Sequence, residues 1–145
     1  MENQLFESLF FITNFFNDPK HDTILLKKAG LREDKNLLPI LVRVGMNKAI
    51  RVGDIADQLG RDHSSVSRQI DKFEAQGLLR SAVNQTDKRI REISLTPAGE
   101  SLYRSIEQAR RELFAQALGQ LTEAQIHDID RGLLLLRDLL EDANQ

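Results

Sequence analysis

The feature that most constrains the fold is a pair of short helical patterns separated by only three residues, Gly60-Arg61-Asp62. The first pattern covers residues 52–59, and Gly60 follows where a left-handed C-terminal cap is expected. The second starts after Asp62, which can cap it, and ends at Gly77. Its apolar residues recur at i, i+4 and i+7, namely at Val66, Ile70 and Phe73. Two helices joined this tightly predict a helix-turn-helix.

A basic hairpin is predicted directly after the second helix. Residues 78–83 and 89–95 have the composition of strands, and the polar residues 84–88 lie between them. A helix-turn-helix followed by such a hairpin is the layout of a winged helix. The expected fold is therefore mainly α with a small β-hairpin wing, in which a winged helix-turn-helix lobe is joined to a helical dimerisation arm.

The polar side of the second helix offers groups that suit DNA. If the apolar stripe faces the core, the other side presents hydroxyl, amide and cationic side chains, which can contact base edges and phosphates. We predict DNA contacts on this helix and at its start from Arg61, His63, Ser64, Ser65, Ser67, Arg68, Gln69 and Lys72. Helix pairs of this kind also occur in proteins that never bind DNA, so the polar set carries the prediction.

The wing adds a second cationic element. Lys88, Arg89 and Arg91 lie within four residues, close enough to enter a minor groove, although a solvated turn is the alternative. Asp87 is predicted to position Arg89 by a charge-assisted hydrogen bond. Residues 61–91 contain seven basic and four acidic residues, a net charge of +3. Because the whole chain has a net charge of −2, the remaining residues together carry −5. This distribution favours a local polyanion-binding surface, but a mixed solvated face would give the same charges.

These motifs resemble the MarR family of bacterial transcription regulators. The matching stretch is VGDIADQLGRDHSSVSRQIDKFEAQGLL, followed by the wing TDKRIREISLT and its exit PAG. The resemblance implies that the Ser-x-Val-Ser-Arg helix binds the major groove and that Asp87 and Arg89 of the wing reach the minor groove. It also implies a homodimer on a pseudo-palindromic operator, with repression as the expected effect and a small aromatic effector as a candidate ligand. Pro39 and residues 45–48 depart from the family's commoner pattern.

Both ends of the chain predict a dimerisation region. Residues 5–16 contain five of the seven phenylalanines and are too apolar for a one-sided helix, so a partner subunit is the expected cover. Residues 133–140 form a second broad apolar surface; the alternative is that both segments pack within one chain. The predicted dimer contacts are Leu5, Phe6, Leu9, Phe10, Ile12, Leu133, Leu136 and Leu140. The expected division is 1–30 for the N-terminal dimerisation part, 31–99 for the DNA-binding lobe and 100–145 for the C-terminal helices.

Several other classes of function are disfavoured by the sequence. The chain has no cysteine, which excludes disulfides and thiolate chemistry, and its three histidines lack metal-ligand spacing. His63 beside Ser64 is not a catalytic pair, since neighbours on a helix do not face each other. We therefore expect no enzyme activity, no cofactor and no metal; a winged-helix interaction module without DNA binding is the remaining alternative. With no long apolar run and no basic N-terminus, a cytoplasmic protein without membrane contact is expected.

Overall fold

The computed structural model describes residues 1–30, 34 and 36–144, which form two compact units, Met1–Ala109 and Arg110–Gln145. The helices are α1 Glu2–Asn17, α2 Pro19–Lys28, α3 Leu37–Met46, α4 Val52–Leu59, α5 His63–Ala75, α6 Pro97–Leu118 and α7 Glu123–Ala143. The strands are β1 Ile50–Arg51, β2 Leu79–Val83 and β3 Arg91–Leu95. The predicted class, mainly helical with a small β-hairpin, is confirmed.

The sheet joins the hairpin to the helix-turn-helix. β3 lies between β1 and β2 and is antiparallel to both, so that Ile93 is paired with Ile50 on one side and with Ser81 on the other. The hairpin was predicted, but β1 was not. Because β1 leads directly into α4, its pairing with β3 ties the base of the hairpin to the first helix of the helix-turn-helix.

One apolar core supports the lobe in the first unit. The stripe predicted on α5 is buried there, and it is joined by side chains of α3, α4, β3 and α6. The fully buried members include Ile40, Leu41, Val44, Ile55, Val66, Ile70, Phe73, Ile93 and Ile106. Burial of a side chain of this size contributes about 1.5–3 kcal/mol, so α5 is held firmly with its apolar side inward.

Residues next to the helix ends set the boundaries of several helices. Gly60 adopts φ +60° at the end of α4, a left-handed conformation that glycine adopts without a Cβ clash. Thr96 accepts from the Gly99 amide at 3.0 Å and Pro97 begins α6. Thr122 and Gln125 form a capping box at the start of α7.

The sequence of residues 33–44 predicts a helix that ends before Gly45, and the structure differs from this prediction. Glu33 lies outside the described residues, and α3 begins at Leu37, which places Pro39 in its first turn where no backbone donor is lost. The helix also continues through Gly45, which was expected to follow it. A Cβ at Gly45 would lie 2.5 Å from the Tyr103 ring, so glycine here permits close packing of α3 on α6.

The two terminal helices, for which a partner subunit is the expected cover, are not buried by the described residues of their own units. None of the residues described in α1 or α7 is buried. Of the predicted dimer contacts, Leu9 and Leu136 are half-buried and the others are exposed, including Phe6 at 68% and Leu133 at 53%. Packing within each unit therefore does not cover these apolar side chains.

Candidate nucleic-acid interface

The N-terminus of α5 is fixed by its predicted cap. Asp62 Oδ2 accepts a hydrogen bond from the Ser65 amide at 3.0 Å, and Gly77 follows the helix at φ +76°. With the apolar stripe buried, Ser64 and Arg68 are exposed one turn apart. Ser65, Ser67 and Gln69 were expected to point outward, but they are half-buried and not fully exposed. α5 thus presents a polar edge centred on Ser64 and Arg68.

Two predicted contact residues are engaged by the segment that precedes α3. Lys72 Nζ lies 2.8 Å from Asp34 Oδ2 and 5.8 Å from the centre of the Phe73 ring. Arg61 Nη1 donates to Asn36 Oδ1 at 3.0 Å. Both cations remain largely exposed, so they combine an intrachain contact with access to solvent.

Two side chains, the amide of Asn84 and the carboxylate of Asp87, hold the wing tip in its conformation. Asn84 Oδ1 accepts from the amides of Thr86 at 2.9 Å and Asp87 at 3.2 Å. Asp87 in turn accepts from Arg89, with Nε to Oδ1 at 3.1 Å and Nη2 to Oδ2 at 3.2 Å. The bond from the Arg89 side chain, followed by that from its amide, lowers the pKa of Asp87. The predicted positioning contact is present, and it leaves the Arg89 side chain 91% exposed.

Arg91 has different surroundings from those expected at a wing tip. It lies at the start of β3, where its Nη2 is 2.7 Å from Asp71 Oδ1 and 2.6 Å from Glu74 Oε2. Glu74 Oε1 also accepts from the hydroxyl and amide of Ser81, at 2.7 and 3.1 Å. The Ser81 hydroxyl, the Ser81 amide and Arg91 together lower the pKa of Glu74 despite its partial desolvation. We call Asp71, Glu74, Ser81 and Arg91 the wing clamp, because they join both strands of the hairpin to α5.

A groove of about 500 Å³ lies between the start of α4, α5 and the wing. Its lining includes Arg51, Gly53, Asp57, His63, Ser67 and Arg89. The His63 ring lies against Gly53, where an added Cβ would be 2.8 Å from Nε2. Arg51 was not among the predicted contact residues, and its charge helps to lower the pKa of Asp87 across this groove. The sequence signal that could have identified Arg51 is the position of a cation immediately before the helix-turn-helix.

No helix in the described part of the chain is both long enough and apolar enough to cross a membrane.

Comparison with known proteins gives matches to the winged lobe and to the whole fold. Residues 38–90 match the family model described as MarR family. The HTH-type transcriptional repressor MdtR of Bacillus subtilis (strain 168) is 25% identical over 87 residues, which are 60% of this chain and 56% of that protein. The chain thus aligns with little more than half of that relative's length.

Two solved structures share the fold along nearly the whole chain. FabT of Streptococcus pneumoniae in complex with DNA superposes with a TM-score of 0.65 at 17% identity and covers 98% of this chain and 99% of its own. NadR in complex with 4-hydroxyphenylacetate gives a TM-score of 0.69 at 22% identity, with 92% and 89% covered.

The relatives are named transcriptional regulators, in agreement with the prediction that this chain is not an enzyme. The family-model match to residues 38–90 and the fold shared with these solved structures agree with the resemblance to MarR-family winged helix-turn-helix regulators that the sequence motifs indicate.

Proposed function

We propose that this chain is a homodimeric transcriptional repressor that binds a specific duplex-DNA sequence. The observation that carries the proposal is the presence, on one lobe, of two separately supported polar elements. One is the α5 edge with Ser64 and Arg68, and the other is the wing tip with Arg89 held by Asp87. Duplex DNA offers a major groove that admits a helix and a minor groove whose negative potential attracts arginine.

In this proposal α5 is the helix that reads bases. The exposed Arg68 can donate two hydrogen bonds to the O6 and N7 atoms of guanine, which is the commonest specific contact of arginine. Ser64 and Ser65, at the start of the helix, would donate to backbone phosphates, where the positive end of the helix dipole also favours an anion. Ser67, Gln69 and Lys72 complete the proposed contact set of α5, with Lys72 acting as a phosphate contact.

The wing supplies contacts that depend on charge rather than on base identity. Arg89 would enter the minor groove, and Lys88 beside it would contact phosphate. Arg91 was first expected to contact DNA, but its two carboxylate partners instead support a role in holding the wing against α5.

The groove between α5 and the wing would receive the phosphate backbone that separates the two DNA grooves. Arg51 and His63 line it together with Arg89, so cationic or polar donors are present on opposite walls. Arg61, at the turn of the helix-turn-helix, is exposed next to the start of α5 and is a further proposed phosphate contact.

A second copy of the chain is the proposed cover for α1 and α7. The exposed side chains of Leu5, Phe6, Phe10, Leu133 and Leu140 would otherwise leave apolar surface in water. We retain 1–30 and 100–145 as the dimerisation parts and 31–99 as the DNA-binding lobe. A twofold dimer would bind a pseudo-palindrome whose half-sites are about 10 base pairs apart.

The most specific part of the proposal is that the chain represses transcription and that a small aromatic molecule releases it from DNA. MdtR is named a transcriptional repressor, and the NadR structure contains 4-hydroxyphenylacetate. These names support the same class of effect and of effector for this chain. A ligand would act by binding one conformation of the dimer more tightly than another.

The test is selection of duplexes from a random pool by the purified full-length chain, with and without a panel of small aromatic acids. The expected result is a pseudo-palindromic motif that an active acid weakens. Recovery of no motif, together with duplex binding no stronger than that of an unrelated acidic protein, would instead favour a winged-helix interaction module.

A further inference from the structure

The segment preceding α3 contacts two cations of the proposed DNA-binding face. Asp34 Oδ2 accepts from Lys72 Nζ at 2.8 Å, across 38 positions of sequence, and Asn36 Oδ1 accepts from Arg61 Nη1 at 3.0 Å, across 25 positions. Such long-range contacts bring a negative charge from outside the helix-turn-helix to a residue of α5. The sequence motifs predict a phosphate contact for Lys72 but cannot reveal a partner this distant along the chain.

The Asp34 carboxylate is held in place independently of Lys72. Its Oδ1 accepts from the Asn36 amide at 3.0 Å, and the Asp34 carbonyl accepts from the Leu37 amide at 3.2 Å as α3 begins. Partial burial opposes ionisation of Asp34, but the hydrogen bonds from Lys72 and Asn36 outweigh it and lower its pKa. Asp34 therefore presents a fixed negative charge at neutral pH.

Lys72 is the more accessible partner of this pair. Its side chain is 53% exposed, compared with 21% for Asp34, so a phosphate can approach Lys72 while Asp34 remains at its side. A carboxylate within hydrogen-bonding distance cancels most of the field of the ammonium and repels an incoming phosphate. DNA would gain the full charge of Lys72 only after the contact with Asp34 is lost.

We propose that Asp34 is an intramolecular competitor of DNA phosphate for Lys72, so that the segment before α3 sets the DNA affinity of α5. This inference rests on the proposed function. It assigns Asp34 a negative effect on binding, although Asp34 itself does not lie on the helix that reads DNA. Any change that moves Asp34 away from Lys72 should then tighten DNA binding.

The test compares Asp34→Asn with a charge-matched control, Glu100→Gln, in the full-length chain. Asparagine keeps the oxygen that accepts from the Asn36 amide and removes only the charge. Glu100 forms an exposed ion pair with Arg104 one turn along α6, so its replacement changes the net charge equally on a helix other than α5. Circular dichroism checks that each variant is folded, and Asp34→Ser provides a second uncharged side chain that can support the turn.

The measurement is affinity for the selected duplex, with an unrelated duplex as reference, over a range of salt concentrations. Asp34→Asn should bind roughly two- to fivefold more tightly per protomer than Glu100→Gln, the range expected for loss of one exposed ion pair. The dependence of log affinity on log salt should steepen by about one ion per protomer. Both effects should vanish when Lys72→Met is also present.

An Asp34→Asn variant that matches Glu100→Gln, binds less tightly, or keeps its gain in the Lys72→Met background would overturn the inference while leaving DNA binding intact. If no variant binds either duplex, the proposed function fails and the inference fails with it.

Discussion

Arg91 of β3 and Glu74 of α5 are joined by a hydrogen-bonded ion pair in which Arg91 Nη2 lies 2.6 Å from Glu74 Oε2. The same nitrogen is 2.7 Å from Asp71, one turn earlier on α5, and Glu74 also holds Ser81 of β2. The wing is thus attached to the helix by its base, whereas its tip carries the exposed Arg89. Arg91 therefore attaches the wing, whereas Arg89, two positions earlier, remains exposed and is the proposed DNA contact.

Replacing Arg91 should affect folding more than the salt dependence of DNA binding. Arg91→Met removes the partner of two carboxylates, and we expect a loss of about 1 kcal/mol in the free energy of unfolding, typical of a partly exposed network. Arg80→Met is the control, because Arg80 is an exposed residue of β2 that donates to Ser94. Urea denaturation measures the stability, and a loss no larger than that of the control would contradict the clamp.

The clamp also predicts a pH dependence. The pKa of Glu74 is lowered from the ordinary 4.5, so its charged form stabilises the folded state above that pH. This stabilisation is lost as the pH falls through the lower pKa of the folded protein. Wild type should therefore lose stability more steeply than Glu74→Gln below about pH 4.5, as followed by thermal unfolding. Parallel curves for the two proteins would show that the Glu74 charge contributes nothing.

The close contact between α3 and α6 gives a prediction with a definite sign. Alanine is favoured over glycine inside a helix by about 1 kcal/mol, so Gly45→Ala should stabilise α3 if space allowed it. The Tyr103 ring occupies that space, and we expect destabilisation instead. In the Tyr103→Leu background the same change should be less harmful or favourable. A Gly45→Ala protein that is more stable than wild type would show that the contact relaxes at little cost.

Local features of this fold could be predicted, whereas contacts distant in sequence could not. The caps at Gly60 and Asp62 and the stripe ending at Phe73 depend on spacings within a few residues. β1 has only two residues, too few for an alternating pattern to be recognised. The partner of Arg91 depends on where β3 lies against α5, and that of Lys72 on a segment 38 residues earlier. For the same reason the sequence could not reveal the carboxylate partners of these two cations.

The exposed apolar side chains of α1 predict that the dimer depends on this helix. A change of Phe6→Asp places a charge where Phe6 stacks with Phe10, at 6.1 Å between ring centres, and should weaken self-association. Gln4→Asp adds the same charge to the same helix without removing apolar surface and serves as the control. Sedimentation equilibrium should give a dimer for wild type and control. A monomeric wild type, or a fully dimeric Phe6→Asp protein, would contradict this arrangement.

The most direct test of base reading by α5 and groove binding by the wing compares Arg68→Ala with Arg89→Ala in one experiment. Sequence selection and salt titration are performed on both. Arg68→Ala should cost about 1–3 kcal/mol and relax the preference at one position in each half-site. Arg89→Ala should weaken binding to most sequences alike and reduce the salt slope by about one ion per wing. It should also lessen any preference for flanking A·T pairs. Asp87→Ala should show the same effects to a smaller extent. The account is contradicted if Arg89→Ala alters the core of the half-site while Arg68→Ala changes only the salt slope.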